Sequence, residues 1–429
     1  MSNKEYRFET LALHAGQTVD ATTSRGVPVY RTSSYVFNNT EHAANLFALK
    51  ELGNIYTRIT NPTNDVLEQR VTQLEGGAAS VALASGTSAI FYSIITLAEA
   101  GDDIVSASNL YGGTYTQFDA ILPKLGINVK FVDSRDPANF EKAIGPKTRA
   151  LFIETIGNPV LDYTDVKAVA EIAHKHGLPL IVDATFTTPY LLKTIELGAD
   201  IVVNSLTKWL GGHGSAIGGI VTDAGRFGWK AGRHPLFTEP DANYHGLKWG
   251  IDLPEPLAPI AFALRLRTVP LRNLGAAISP DNSWIFLQGI ETLPVRMVKH
   301  SENALKVAEH LKKHSKVSWV RYPGLSDDPS YPTASKYFKN GFGGMVVFGI
   351  KGGYDAAVKV IDSIKLFSHL ANVGDAKSLI LHPSSTSHSQ LTEEQQLSSG
   401  LSPDLVRLSI GLEHPDDLIE ALDDALSLI

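Results

Sequence analysis

The sequence predicts an α/β fold in which a large domain with a mostly parallel sheet leads into a smaller α+β domain. Two observations predict it. Short apolar runs rich in β-branched residues recur at 79–83, 103–106, 129–132, 150–153, 179–182 and 201–203, with amphipathic helical stretches such as 165–176 between them. Strands joined by helical crossovers run parallel and are covered on both faces. The second observation is where polar residues fall. Ser85, Glu154, Asp183 and Ser205 each stand just after one of these runs, and ligands of such sheets sit beyond the carboxyl ends of the strands.

Residues 1–61 read as an arm. Its pieces at 26–30 and 35–37 are extended, 40–52 suits one helix, and nothing in it could form a core alone. The arm ends in Tyr56-Thr57-Arg58. A helix follows from 64 to 74, closed by Gly76-Gly77. The strand 79–83, the turn Ser85-Gly86-Thr87-Ser88 and the helix 89–98 open the alternating series, and the large domain extends over 62–285. Within it, 237–257 is rich in proline, glycine and aromatics and suits an ordered insertion loop. A long helical stretch over 279–314, interrupted near Pro294, leads into the second domain at 286–429. There 344–348, 378–381 and 405–410 are candidate strands, and a last helix starts at 416.

Composition narrows the function. The 429 residues carry 43% hydrophobic and 19% charged side chains, as ordinary globular proteins do. A net charge of -7 argues against nucleic acid as the main partner. The absence of cysteine excludes disulfides, thiolate metal sites and a cysteine nucleophile. With no signal-like N-terminus and no run long enough for a bilayer, the expectation is a cytoplasmic protein without a membrane partner.

The stretch with most chemistry is 201–219. A buried strand end is followed by Ser205, Thr207 and Lys208, then by a glycine-rich turn. A lysine held there could form a Schiff base if its surroundings lowered its pKa, and the two hydroxyls suit a phosphate. The stretch alone fits a solvated lysine in a turn equally well. Ser85-Gly86-Thr87 could bind phosphate at a helix start, or Ser85 could be a plain N-cap. Asp183 could cap a helix, hold a metal, or pair with a protonated ring nitrogen. Tyr111, flanked by glycines, could stack on a flat cofactor or be a turn tyrosine. His174 and His176 end a helix, where the dipole explains them, and His382 and His388 lack zinc-like spacing, so no metal is expected. Gly212, Gly214 and Gly218 depart from the dinucleotide fingerprint, because Gly219-Ile220-Val221 continues as a strand rather than a helix.

Seven motifs then stand in one order over nearly the whole chain: Tyr56-Thr57-Arg58, Ser85-Gly86-Thr87, Asn109-Leu110-Tyr111-Gly112-Gly113, Gly157-Asn158-Pro159, Val182-Asp183, Ser205-Leu206-Thr207-Lys208 and Arg407-Leu408-Ser409. In that order they closely resemble the cysteine and methionine metabolism family of pyridoxal-phosphate enzymes. The resemblance implies the aspartate aminotransferase-like fold of PLP-dependent transferases (fold type I) and pyridoxal 5'-phosphate as cofactor. It implies that Lys208 holds the cofactor as a Schiff base and shuttles protons, that Asp183 keeps the ring nitrogen protonated, and that Tyr111 stacks on the ring. Ser85, Gly86, Thr87, Ser205 and Thr207 would surround the phosphate. Asn158 would orient the ring hydroxyl, and Arg407 with Ser378 and Asn158 would receive the substrate. Tyr56 and Arg58 would cross to a neighbouring subunit's phosphate, in a homotetramer whose active sites are shared between two subunits.

Asn372-Val373-Gly374-Asp375-Ala376-Lys377-Ser378 is similar to the O-acetylhomoserine sulfhydrylase branch, as is Tyr244-His245-Gly246 in the insertion. Relatives that handle a second carboxylate carry an arginine shortly after the Tyr-Gly-Gly motif and a glutamate before the serine. This chain has Tyr115-Thr116-Gln117 and Lys377 there. The implied activity is γ-replacement in methionine biosynthesis: a small amino-acid ester, O-acetylhomoserine, exchanges acetate for sulfide or methanethiol. A cystathionine γ-synthase or a methionine/cystathionine γ-lyase is the alternative within the family. A nicotinamide dehydrogenase and a non-catalytic binding protein are the alternatives outside it. One departure is Ala184, where the family usually has asparagine after the aspartate.

Overall fold

The computed structural model describes residues 6–231, 233–386 and 400–429. Seven strands form the larger sheet: β1 (Ala79–Leu83), β2 (Asp103–Ala107), β3 (Asn128–Val132), β4 (Thr148–Glu154), β5 (Leu180–Asp183), β6 (Ile201–Ser205) and β7 (Gly219–Asp223). Their spatial order is β1-β7-β6-β5-β4-β2-β3. Strands β3, β2, β4, β5 and β6 pair in parallel, whereas β7 runs antiparallel to both β6 and β1. The sheet is therefore mostly parallel, as the sequence predicts. The reversal has a simple cause: residues 206–218 carry the chain straight back from β6 to its neighbour β7, which only an antiparallel pair permits without a crossover helix. Six strands thus aim their carboxyl ends at one edge.

Helices cover both faces, which is why Ile181, Val182, Ile201 and Val202 have no exposed surface. The helix α1 (Phe8–His14) packs on α3 (Pro62–Glu75), which lies against β1, and α4 (Gly86–Leu97) packs on β6 and β7. Between α1 and α3 in the chain lies α2 (Thr40–Phe47). Side chains cap these starts: Asn61 accepts from Thr63 N–H at α3, and Ser85 accepts from Ser88 N–H at α4.

The arm differs from expectation in two respects. The single helix expected over 40–52 ends at Phe47, because Leu49 turns left-handed (φ 52°) and the Lys50 and Glu51 amides both fold back to Asn45 O. Seven residues are too few for a periodicity to announce α1, yet the buried Arg70 guanidinium donates to Ala15 O just beyond it (3.0 Å). The segments 26–30 and 35–37 lie outside both sheets, although Ser34 bridges Tyr56.

The smaller sheet contains β8 (Val317–Arg321), β9 (Met345–Ile350), β10 (Ser368–His369), β11 (Leu379–Leu381) and β12 (Leu405–Ser409), in the order β10-β11-β12-β9-β8. The sequence reading missed β8 and β10. In β8 only Val317 is buried, Ser318 is exposed and the other three residues are partly buried, and β10 is two exposed residues long. The interruption expected near Pro294 is a break at Thr292 between the helices Pro280–Glu291 and Leu293–Lys313. Pro294 falls in the first turn of the second helix, where its missing N–H costs nothing. That helix packs on β8 and β9 and on the last helix, Pro415–Leu426. Among the described residues no helix is long and apolar enough to cross a membrane.

Candidate active site

The sheet order converts distant motifs into neighbours. Tyr111 follows β2, Glu154 ends β4, Asp183 ends β5, and Ser205 ends β6, with Glu154 and Asp183 in register side by side. Lys208 sits one turn past β6. Its N–H donates to Ser205 O (3.2 Å), and its own carbonyl accepts from Gly212 N–H (2.7 Å). The next residue, Trp209, is completely buried against the His300 ring, so truncating it would cost roughly 3–5 kcal/mol and release the turn. Burial, and secondarily the charge of Arg407, lowers the Lys208 pKa to about 8. An amine so placed is partly neutral at physiological pH and therefore nucleophilic.

The carboxylates opposite have the reverse problem. Asp183 accepts from Thr185 N–H (2.9 Å). Burial pushes its pKa up. Burial and the neighbouring Asp183 charge together hold Glu154 well above the usual carboxylate range. Among the described residues no cation forms an ion pair with either group. Ala184 sends its methyl into the core while its N–H donates to Val203 O (2.9 Å). Orientation of Asp183 thus comes from Thr185, which also accepts Ser205 N–H on its hydroxyl (2.8 Å).

At the phosphate-sized end, α4 presents its N-terminus. Ser85 Oγ accepts from Ser88 N–H (3.1 Å), so it works as the cap. A Cβ on Gly86 would lie 2.7 Å from the Ser205 Cβ; only glycine lets the helix start approach β6 this closely. Thr207 Oγ1 donates to Gly218 O (3.2 Å) and accepts Gly218 N–H (3.1 Å), closing the loop. Thr87 offers its backbone in the first turn of α4. Tyr111 is half exposed, and its ring lies across Gly113, where a Cβ would stand 2.5 Å from Cε1.

The smaller domain supplies the far wall. Arg407, on β12, is buried; its Nη1 donates to Asn158 Oδ1 (3.1 Å) and its Nη2 to Asn372 O (3.5 Å). Burial lowers its pKa to about 10, which leaves it a cation at neutral pH. Lys208 Nζ donates to Asn372 Oδ1, so one asparagine joins the lysine to the arginine. The Ser378 hydroxyl donates to Glu413 Oε2 (2.9 Å) and accepts Gly411 N–H (2.8 Å), and its N–H donates to Glu413 Oε1 (2.7 Å). Both its donors are thus bonded to Glu413 inside the domain.

Tyr56 and Arg58 lie elsewhere. Both are exposed, with the Arg58 guanidinium 5.0 Å over the Tyr56 ring and the arginine against Gly275. Among their described contacts, none is with the Lys208 group.

Three participants escaped the sequence reading. Glu413 and Arg296 give no local signal. Arg296 is a buried cation whose guanidinium donates to Trp209 O (2.9 Å), Leu210 O (3.2 Å) and Gly289 O (2.7 Å), clamping the turn after Lys208 to the helix pair that joins the domains. Asn372 lay inside a quoted motif without a role. The histidines have ordinary partners: His174 with Asp200 (2.8 Å), His176 with Glu141 (2.9 Å), and His382 with Ser385 and Pro403; His388 lies outside the described residues. Tyr244 in the insertion donates to Phe47 O (2.7 Å), which ties that loop to the arm. Thr116 ends the short helix Gly112–Thr116, and the exposed Lys377 donates its N–H to Asp375 (3.0 Å).

Comparison with known proteins adds to this geometry. The family described as Cys/Met metabolism PLP-dependent enzyme matches residues 9–427. An O-acetyl-L-homoserine sulfhydrylase of Leptospira meyeri is 56% identical, covering 99% of this chain and 98% of that one. A homocysteine synthase of Schizosaccharomyces pombe is 49% identical, with 98% of each covered. A crystal structure of a putative O-acetylhomoserine (thiol)-lyase from Campylobacter jejuni, holding N'-pyridoxyl-lysine-5'-monophosphate, superposes with a TM-score of 0.95. It is 41% identical and covers 98% of this chain and 100% of that one.

Proposed function

The chain belongs to the Cys/Met metabolism family of PLP-dependent enzymes, and from that premise we propose that it converts O-acetylhomoserine and sulfide to homocysteine and acetate. The observation that carries the proposal is a buried lysine of lowered pKa on the same sheet edge as a buried pair of carboxyl groups with no cation paired to them among the described residues. The residues present fit pyridoxal 5'-phosphate. A protonated ring nitrogen is the cation the Asp183 end calls for, and the α4 N-terminus suits a phosphate. Bound there, the cofactor supplies an electron sink for charge released at the substrate Cα.

Each side chain then has a task. Lys208 would hold the cofactor through Nζ, and the same amine would move protons at the substrate carbons. Asp183 keeps the ring nitrogen charged. Tyr111 covers the ring and assists those transfers, while Gly86, Thr87, Ser205 and Thr207 line the phosphate, with Ser85 holding the helix start. Asn158 orients the ring hydroxyl and trades its bond to Arg407 for one to the ligand. Arg407 takes the substrate carboxylate with its planar fork. In the exchange, the Cγ–O bond of the ester breaks, acetate leaves with the electron pair, and hydrosulfide forms the Cγ–S bond.

The acyl group follows from what the wall lacks. With Thr116 and the exposed Lys377 in place of a forked partner, a succinyl ester must desolvate its second carboxylate with little return. The assembly follows from Tyr56 and Arg58, which stand apart from their own Lys208 and are proposed to complete the site of a second copy, within a cytoplasmic homotetramer.

Product analysis tests the reading. O-acetylhomoserine with sulfide, beside O-succinylhomoserine, cystathionine and methanethiol, should give homocysteine with a kcat/KM preference for the acetyl ester of about tenfold or more, equivalent to about 1.4 kcal/mol. Equal values for the two esters, or cleavage of cystathionine as the faster reaction, would overturn it.

A further inference from the structure

We propose that Glu154 is a positioning residue: by accepting the Tyr111 N–H beside Asp183, it holds the stacking tyrosine over the site. The inference rests on the pyridoxal-phosphate reading above and adds a residue to it. Three features of the fold lead to it. Tyr111 ends the short loop 108–111 that follows β2, and β2 neighbours β4 in the sheet, so the end of β4 is well placed to anchor that loop. Glu154 is the last residue of β4, and its Oε1 receives the Tyr111 N–H at 2.8 Å. The register then sets the same residue beside Asp183 on β5. One side chain therefore links the ring-covering group to the carboxylate proposed for the ring nitrogen.

The Tyr111 segment needs such an anchor. Its ring is half exposed and rests on Gly113, and its residue stands at the start of the helical run 112–125 without a side-chain cap. A helix start without a cap leaves its first N–H groups unsatisfied and its entry angle unfixed. The Glu154 bond supplies a fixed point that reaches back to a rigid, buried strand.

The chemistry also decides which variants discriminate. The bond from Tyr111 N–H asks of Glu154 only an acceptor oxygen at this reach; burial and the Asp183 charge hold its pKa well above the usual carboxylate range, which favours the uncharged form. Glutamine has the same reach and an amide oxygen that can accept the same bond. Aspartate keeps the acid but is one methylene too short. Glu154→Gln should therefore resemble the wild type, and Glu154→Asp should not, which is the reverse of what an electrostatic role would give.

The test uses purified holoenzyme, with pyridoxal 5'-phosphate affinity and the visible circular dichroism of the bound cofactor as readouts. Glu154→Gln should keep both within about twofold, whereas Glu154→Asp should weaken affinity by about fivefold, the worth of a hydrogen bond, and reduce the dichroic band. In a Tyr111→Ala background the Asp substitution should add nothing further. An unchanged Asp variant, a Gln variant as impaired as the Asp one, or an Asp effect that persists without the Tyr111 ring would overturn the proposal. A wild-type protein that binds no pyridoxal phosphate would instead overturn the function it rests on.

Discussion

The ionisation of Lys208 is the quantity on which the proposed chemistry depends most directly. An ordinary lysine side chain titrates near 10.5, and burial, aided by the Arg407 charge, brings Lys208 to about 8. At pH 7.5 about a quarter of the chains would then carry the neutral amine, against roughly one in a thousand for an unperturbed lysine. The perturbation is pH, and the assay is the rate at which apoenzyme takes up pyridoxal 5'-phosphate, followed by visible absorbance. Log rate should climb with pH and level off above about 8. Arg407→Gln, which removes the second cause and leaves the first, should move the break upward by a fraction of a pH unit. A break near 10.5 would refute the burial argument, and an unmoved break in the variant would refute the part assigned to Arg407. The linkage has a defined sign as well. Because folding lowers this pKa, the unfolded chain binds more protons between about 8 and 10.5, and the Lys208 contribution to apoenzyme stability rises with pH across that window.

Arg407→Lys keeps a charge but loses the fork and at least one of the bonds to Asn158 and Asn372, so KM for O-acetylhomoserine should rise by about tenfold or more while the cofactor spectrum stays unchanged. Lys208→Ala should fold and lose essentially all turnover; coexpressed with Arg58→Ala, it should form hybrid oligomers that recover some activity, and verified hybrids without recovery would place Arg58 in its own chain's site. Glu75 is fully buried, bonded to Asn204 (2.7 Å), and raised by burial to about 8. Its folded pKa exceeds its unfolded value of 4.5, so stability is present at low pH and lost as pH rises through about 8. Glu75→Gln should accordingly leave Tm nearly unchanged at pH 5 and raise it at pH 9, by a margin on the order of a few kcal/mol in stability. Equal Tm differences at the two pH values would contradict the buried titration.

What the sequence made legible follows physical period and local chemistry. Strands β1, β2, β4, β5 and β6 stood out because they are largely buried and rich in apolar residues, and the edge strand β3 stood out by its β-branched and aromatic residues although it is partly exposed; β8 did not, because only Val317 in it is buried. Lys208, Asp183 and Tyr111 were legible because each stands at or just beyond the carboxyl end of a strand. Asn158 and Arg407 were legible as motif members, but not their bond across 249 residues. Arg296 was illegible in principle: a buried arginine satisfied by carbonyls looks, in sequence, like any helical surface arginine. Ser378 was legible as a motif member, but its bonds to Glu413 and Gly411 were not, because they depend on how β11 meets the loop at Gly411, which no local pattern encodes.

The charges around the site bear on the proposal that a second chain completes it. A helix N-terminus offers the equivalent of about half a positive charge, whereas a phosphate ester brings about 1.5 to 2 negative ones. Around the α4 start the chain adds Ser85, Thr87, Ser205 and Thr207, and of these Ser85 and Thr207 already hold bonds to the backbone. Hydroxyls solvate a phosphate but do not neutralise it, so about one positive charge is missing. Lys208 cannot supply it, because its lowered pKa and its task both favour the neutral amine. Arg407 cannot either, since it stands across the site toward Asn158. Arg58 has the needed charge, no carboxylate partner among its described contacts, and a ring beneath it that keeps the guanidinium extended. It lies on an arm that cannot reach its own Lys208 without abandoning the contacts that hold Tyr56 and Thr57 to Ser33 and Ser34. A second copy meets the deficit without disturbing those contacts, and this charge balance is the physical reason to expect shared sites.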